Sequence, residues 1–172
     1  SNIVQSNYIE LDNDEIVFTS GGSESDNLAI RGTSHALKDK GNHIITTTIE
    51  HPAVLETYKQ LGKEGFEVTV LNVDNDGMLD LDKLRSAIKD NTVLVSIMHA
   101  NNEVGVVQDL EKIGEICAEK NIVFHSDCVQ SLCKVPINVK QMNLSLAAFA
   151  SHKLHGPKGV GALFVKRGTK LY

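Results

Sequence analysis

One lysine-containing segment has the residue types for nucleophilic amine chemistry. Lys153 lies between two apolar runs, in the segment 151–161, which reads S-H-K-L-H-G-P-K-G-V-G. An amine that is partly desolvated near a second positive charge, here Lys158, can lose its proton near neutral pH and become a nucleophile. The neighbouring glycines would let a bulky ligand approach the backbone. The pattern fits two solvated loop lysines as well, so both interpretations stay open.

An acidic residue directly follows the apolar run 122–126. Asp127 would lie at the end of a buried strand, where a carboxylate needs a partner. A protonated heterocyclic nitrogen is one such partner, and Gln130 is close enough to hydrogen-bond a neighbouring ring oxygen. An aspartate that caps a turn explains the same pattern equally well.

A glycine-rich segment that opens a helix could bind an anion. The residues 20–27 read S-G-G-S-E-S-D-N, so Gly22 and Ser23 would present backbone N–H groups at a helix start. The alternative is a tight turn with Ser23 as the helix N-cap. The segment is neither a Walker loop nor a dinucleotide fingerprint, because both need a different spacing.

Two further polar clusters follow apolar runs. His51 precedes Pro52, which can open a helix and leave the imidazole at the sheet edge. The segment 99–105, H-A-N-N-E-V-G, comes where an open sheet would offer a crevice. A lone histidine is usually structural, and turn-forming asparagines explain the second cluster nearly as well.

The elements that would position these residues alternate along the chain, which predicts an α/β fold with a mostly parallel sheet covered on both faces. We predict strands at 15–19, 43–48, 66–71, 92–98, 122–126, 144–149 and 160–165. We predict helices at 24–40, 53–64, 81–89 and 110–120, with Asp80 as the cap of the third and a turn at 74–77. Ligands of such sheets bind at the carboxyl ends of the strands.

The composition excludes several functional classes. The chain has 172 residues, 41% apolar content and a net charge of −5 without a basic stripe, so nucleic acid and anionic membranes are not expected partners. No run approaches the roughly 20 apolar residues of a membrane span, and the first residues lack a signal-peptide core. Cys117, Cys128 and Cys133 have neither paired nor metal-ligand spacing, which favours free thiols in a reducing compartment.

An anion site, an acid and an amine at strand ends are together the set that pyridoxal phosphate needs. The ordered motifs S-G-G-S-E-S-D-N, E-H-P-A-V, H-A-N-N-E-V-G, H-S-D-C-V-Q-S and S-H-K-L-H-G-P-K-G-V-G-A-L resemble those of the cysteine desulfurases of aminotransferase class V. The resemblance covers nearly the whole chain. It implies the three-layer α/β/α large domain of fold-type I pyridoxal-phosphate enzymes. It also implies the reaction of the cysteine desulfurases, which convert L-cysteine to L-alanine and leave the sulfur as a protein persulfide.

The resemblance also implies a role for each matching residue. Lys153 should bond to the cofactor aldehyde, Asp127 should hold the pyridine nitrogen, and His51 should lie over the ring and take part in proton transfer. Gln130 and Asn102 should lie at the phenolic oxygen. The phosphate contacts should come from Gly22, Ser23, Ser151 and His152, although Ala150 stands where the family usually has its phosphate-binding serine.

The resemblance further implies that residues 1–172 form one domain, the core of the cofactor-binding large domain, without the family's N-terminal segment and C-terminal small domain. The family's persulfide cysteine and its substrate-binding arginine would then lie outside the chain. A homodimer, a sulfur-accepting scaffold protein of iron-sulfur assembly, and a cytoplasmic or mitochondrial location are expected for the whole protein. A selenocysteine lyase or other class V enzyme and a non-catalytic α/β binding module are the alternatives.

Overall fold

The computed structural model describes residues 15–151 and 159–172 and contains a central sheet flanked by helices. The helices are α1 (Gly22–Ala36), α2 (Pro52–Lys63), α3 (Leu81–Ala87) and α4 (Leu110–Glu119). The strands are β1 (Ile16–Thr19), β2 (His43–Thr47), β3 (Glu67–Leu71), β4 (Thr92–Ser96), β5 (Ala100–Asn101), β6 (Val106–Val107), β7 (Val123–Asp127), β8 (Leu146–Ala150) and β9 (Gly161–Val165).

Seven strands form one mixed sheet in the order β1-β9-β8-β7-β4-β2-β3. Five neighbouring strands of this sheet are mutually parallel, namely β3, β2, β4, β7 and β8. Strand β9 pairs antiparallel with both β8 and β1. The carboxyl ends of β2, β4 and β7 therefore meet at one edge of the sheet. This confirms the predicted α/β class with a mostly parallel sheet.

The centre of the sheet is buried on both faces because successive residues of its central strands contact different helices. Ile44 of β2 belongs to a core with residues of α1 and α2, and the next residue, Ile45, belongs to a core with residues of α3 and α4. Every residue of β2, β4 and β8 is buried. The apolar residues of β4 and β8 are consecutive rather than alternating, and for that reason the sequence reveals these strands.

The predicted boundaries differ from the structure mainly at α1 and in one hairpin. Helix α1 begins at Gly22 and ends at Ala36, four residues before the predicted end, because residues 37–40 form turns closed by bonds to the Leu37 carbonyl. The short hairpin of β5 and β6 has two residues in each strand, too few for a pattern to predict it. Asp80 caps α3 and Pro52 opens α2, as predicted.

One glycine of α4 is required by a close backbone contact. A Cβ atom on Gly114 would lie 1.9 Å from the carbonyl oxygen of Met142. Because the obstacle is backbone, the helix and the segment 138–144 would have to separate. We expect Gly114→Ala to lower the free energy of unfolding by about 2 kcal/mol. Urea unfolding measures it, and Gly65→Ala, at a left-handed turn with nothing within 4 Å, is the control for backbone strain alone.

Candidate active site

A cavity of about 200 Å³ opens at the carboxyl edge of the sheet, between the first turn of α1 and the segments that follow β2, β4 and β7. This is the position where open α/β sheets bind their ligands. Six residues predicted from the sequence line it, namely Gly22, Ser23, His51, Asn102, Asp127 and Gln130. The fold therefore brings together residues that are up to 108 positions apart in the chain.

Three other predicted site residues follow β8. Ser151 directly follows the strand, where its amide and its hydroxyl both donate to the Val160 carbonyl at 3.0 Å. Its predicted phosphate contact remains a prediction. His152 and Lys153 lie outside the described residues.

The start of α1 faces the cavity without a side-chain cap. The N-cap is Gly21, which makes no capping bond, so the alternative prediction of Ser23 as the N-cap is wrong. The first-turn N–H groups of a helix lack intrahelical partners and carry a partial positive charge. Glu24, the acid of this turn, accepts from the Ser20 hydroxyl at 2.6 Å and is not among the lining residues. The first turn can therefore bind an anion.

Asp127 combines the two roles that the sequence left open. Its Oδ1 atom accepts from the Val129 amide at 2.9 Å, which is the turn-capping role, and the side chain also lines the cavity. The residue Asp127 as a whole is 4% exposed. Burial raises its pKa well above the usual aspartate range, and the nearby Asp26 carboxylate raises it further. A cationic partner in the cavity would reverse this shift.

Glu50 is a second buried acid at the cavity wall. Its Oε1 atom accepts from the Thr47 hydroxyl at 2.6 Å and from the Met98 amide at 3.0 Å, while Oε2 has no partner within the described part of the chain. Burial raises its pKa to about 8, so the protonated form predominates at neutral pH. Glu50 therefore adds little negative charge to the cavity.

His51 is oriented by the helix that it caps. Its Nδ1 atom accepts from the Ala53 amide at 3.2 Å, so the neutral ring carries its proton on Nε2. Pro52 is the first residue of α2 and fixes the direction in which the chain leaves the sheet. The ring is exposed and lines the cavity, which leaves its free nitrogen accessible to a ligand.

The two asparagines of the 99–105 cluster differ in role. Asn101 is a turn former, because its Oδ1 atom accepts from the amides of Glu103 and Val104. Its Nδ2 atom donates to the Ile49 carbonyl at 2.8 Å and ties the turn to the segment before His51. Asn102 is exposed at the cavity. The turn interpretation is therefore correct for Asn101, and Asn102 is available to a ligand.

Asp26 and Glu50 line the cavity but were not predicted as site residues. Both are acidic residues at buried positions. Asp26 lies on the face of α1 that also carries Ala29, Ile30 and Thr33, all fully buried. An acid on the apolar face of a helix is the signal that could have revealed it, since such an acid needs a compensating partner.

The sequence pattern of the family described as Aminotransferase class-V matches residues 5–171. The chain belongs to this family. Its relatives include cysteine desulfurase IscS of Pasteurella multocida (strain Pm70), which is 55% identical over 172 residues, or 98% of this chain and 43% of that protein. The enzyme of the same name from Clostridium botulinum (strain Hall) is 53% identical over 166 residues, or 96% of this chain and 42% of that protein.

Solved structures of related proteins have the same fold. A structure described as SspA in complex with cysteine matches with a TM-score of 0.88 and 44% identity. The match covers 92% of this chain and 46% of the SspA chain. A NifS-like protein matches with a TM-score of 0.90 and 40% identity, and the match covers 94% of this chain and 45% of the NifS-like chain. These likenesses confirm the class V resemblance. The chain spans less than half the length of the curated relatives that it matches.

Proposed function

We propose that this chain binds pyridoxal 5'-phosphate in the cavity at the carboxyl edge of its sheet. One observation carries the proposal: an uncapped helix start and the buried carboxyl of Asp127 line the same cavity. The donor set fits the cofactor, because the helix start suits a phosphate and no cation among the described residues pairs with Asp127, a partner that a protonated ring nitrogen would supply. The class V family and its cysteine desulfurase relatives support this assignment.

Each predicted residue has a proposed contact with the cofactor. Asp127 would hold the proton on the ring nitrogen, and His51 would lie against the ring. Gln130 and Asn102 would donate to the phenolic oxygen. The phosphate would bind Gly22, Ser23, Ser151 and His152. Lys153 would supply the amine that bonds to the cofactor aldehyde.

We propose that the whole protein is a cysteine desulfurase, which releases L-alanine from L-cysteine and keeps the sulfur as a persulfide. When bound, pyridoxal phosphate serves as the sink for electrons from the substrate α-carbon. Asp127 would stabilise the negative charge drawn from the α-carbon by holding a proton at the ring nitrogen. Because Nδ1 accepts from the Ala53 amide, the neutral His51 ring keeps its proton on Nε2. For His51 to transfer a proton through Nε2, Nδ1 would have to leave the Ala53 amide and take up a proton of its own. Lys153 would carry protons at the α-carbon.

The substrate and partners proposed for the whole protein follow its relatives. L-cysteine is the proposed substrate, in line with the relatives' names and with the structure described as containing cysteine. We also propose a homodimer and a sulfur-accepting scaffold protein. Residues 1–172 would form the core of the cofactor-binding domain. All three cysteines are free thiols, which suits a reducing location such as the cytoplasm. No helix in the described ranges is long and apolar enough to span a membrane.

Titration with pyridoxal phosphate tests the proposal. We expect a saturable visible absorption band from the chain. With the whole protein, we expect L-cysteine to change the band and to give alanine, whereas L-serine, which lacks the thiol, should give no alanine. A whole protein that binds the cofactor but gives no response to L-cysteine would contradict the substrate. A chain that produces no band while circular dichroism shows a folded protein would contradict the cofactor.

Gly22 offers a test of the phosphate contact. A Cβ atom at this position would lie 2.7 Å from a methyl group of Val129, so alanine would displace the first turn of α1 from the cavity wall. We expect Gly22→Ala to raise the dissociation constant of pyridoxal phosphate about tenfold, and that of pyridoxal, which lacks the phosphate, by much less. Equal losses for both ligands would show that the helix start does not bind the phosphate. Gly21→Ala, with no atom within 4 Å of the added carbon, is the control.

A further inference from the structure

Helices α1 and α2 both begin at the cavity, and one side chain of α1 joins them. The side-chain amide of Asn27 donates to the Ser23 carbonyl at 2.9 Å and accepts from the Thr57 hydroxyl of α2 at 2.9 Å. Ser23 lines the cavity in the first turn of α1, and Thr57 is 4% exposed. Asn27 therefore links the helix start that can bind an anion to a buried residue of the neighbouring helix.

The Ser23 carbonyl fixes the orientation of the Asn27 amide. If the amide were turned over, its oxygen would lie 2.9 Å from the Ser23 carbonyl oxygen, and two acceptors would face each other. The Oδ1 atom of Asn27 therefore faces Thr57. Because a carbonyl oxygen can only accept, the Thr57 hydroxyl is the donor of this contact.

The Thr57 hydroxyl also contacts the residue that holds His51. Its oxygen lies 2.7 Å from the carbonyl oxygen of Ala53, so its single proton serves both Ala53 and Asn27. The amide of Ala53 donates to Nδ1 of His51 at 3.2 Å. A continuous series of contacts thus extends from the first turn of α1 to the imidazole. We call the contacts of Asn27 and Thr57 in this series the interhelix bridge.

The other contacts between the two helices do less to fix the spacing of their starts. The helices share an apolar core that includes Ile30 and Val54, but apolar packing is not directional. The ion pairs of Glu64 with Arg31 and His35 follow the carboxyl end of α2, and all three side chains are at least 33% exposed. Exposed pairs of this kind are weak. Among the described residues, the interhelix bridge contains the only hydrogen bond between α1 and α2.

We propose that Asn27 and Thr57 are positioning residues that fix the distance between the phosphate-binding start of α1 and the His51 ring. In the free protein, the interhelix bridge orders the first turn of α2. Its effect on the cofactor rests on the proposed function. Pyridoxal phosphate would contact both helix starts at once, so its affinity depends on their spacing. Neither residue of the bridge is among those that line the cavity, so both act through Ser23 and His51.

Thr57→Val removes the hydroxyl and keeps nearly the same shape. We expect it to raise the dissociation constant of pyridoxal phosphate about fivefold, and that of pyridoxal, which lacks the phosphate, by no more than about twofold. Thr57→Ser keeps the hydroxyl and should bind both ligands as the unmodified chain does. Thr33→Val is the matched control, because the Thr33 hydroxyl of α1 is also buried but has no hydrogen-bond partner among the described residues. It should leave both constants unchanged.

A double-mutant cycle tests whether Asn27 and Thr57 act through one contact. Asn27→Ala should also raise the dissociation constant of pyridoxal phosphate about fivefold, and adding Thr57→Val should raise it little further. Effects that multiply in the double variant would overturn the bridge. Equal losses for pyridoxal phosphate and pyridoxal would show that the substitutions loosen the whole site, and would overturn the positioning role.

Hydrogen exchange of the Ala53 amide in the cofactor-free chain tests the bridge separately. We expect exchange to be about fivefold faster in Thr57→Val and in Asn27→Ala, and unchanged in Thr57→Ser and Thr33→Val. An unchanged rate in Thr57→Val would overturn the proposal. If the unmodified chain binds no cofactor, the proposed function fails, and the exchange of Ala53 alone decides whether the bridge orders the start of α2.

Discussion

Replacement of Asp127 with asparagine is expected to lower kcat of the whole protein for L-cysteine about a thousandfold. The asparagine has nearly the same shape and can still accept from the Val129 amide, so the turn that Asp127 caps should survive. It carries no negative charge and therefore cannot hold a proton on the ring nitrogen. The loss should fall mainly on the chemical step, because the phosphate contacts that bind the cofactor remain.

The same substitution should stabilise the cofactor-free protein. Because burial raises the folded-state pKa of Asp127, the unfolded chain ionises at a lower pH than the folded one. Ionisation of the unfolded chain therefore favours unfolding as the pH rises above the ordinary aspartate value, and asparagine removes this cost. We expect a higher free energy of unfolding for Asp127→Asn than for the unmodified chain at neutral pH.

Steady-state kinetics and urea unfolding of the cofactor-free chain measure the two effects. Asp80→Asn is the matched control, since it changes an exposed aspartate that caps α3. An Asp127→Asn protein that keeps full activity would contradict the role of Asp127 at the ring nitrogen. A loss of stability together with activity would show that the carboxylate serves the fold instead.

Glu50 should make the stability of the cofactor-free chain fall between about pH 5 and about pH 8. Its pKa is raised from 4.5 to about 8 in the folded state, so the unfolded chain loses its proton first. Below pH 4.5 both states are protonated and Glu50 has no effect. Across the interval the loss amounts to about 4 kcal/mol, and above it the difference stays constant.

Glu50→Gln should remove most of this pH dependence. A glutamine oxygen can still accept from Thr47 and Met98, while the amide replaces the protonated oxygen. Urea unfolding at several pH values measures the slope, and Glu103→Gln, an exposed residue at the same cavity, is the control. An unchanged slope in Glu50→Gln would show that Glu50 is ionised in the folded protein.

The sequence was sufficient for the sheet because its strands carry a strong signal. The buried strands are rich in apolar residues, and the helices between them are amphipathic, so the α/β class and all four helices could be predicted. The order β1-β9-β8 depends on an antiparallel return of β9. No local pattern encodes which strand a distant segment pairs with, so the strand order was not predicted.

The predicted site residues that the structure describes lie at strand ends or at the start of the next helix, where an apolar run stops in the sequence. Asp127 and His51 follow apolar runs, and that position marks them in the sequence. Asp26 lies within α1 rather than at a strand end, and the sequence does not show that Glu50 is buried, so neither was predicted. The hydrogen bond between α1 and α2 joins residues that are 30 positions apart, and only the packing of the two helices creates it.

Borohydride reduction of the chain with bound pyridoxal phosphate tests the central claim most directly. Reduction makes the bond between lysine and cofactor permanent, and peptide mass spectrometry then locates the modified residue. We predict one adduct, on Lys153, together with loss of the visible band, and we predict no adduct in Lys153→Ala. The control Lys158→Ala should keep the adduct on Lys153. An adduct spread over surface lysines, or one that persists in Lys153→Ala, would contradict a cofactor site in this cavity.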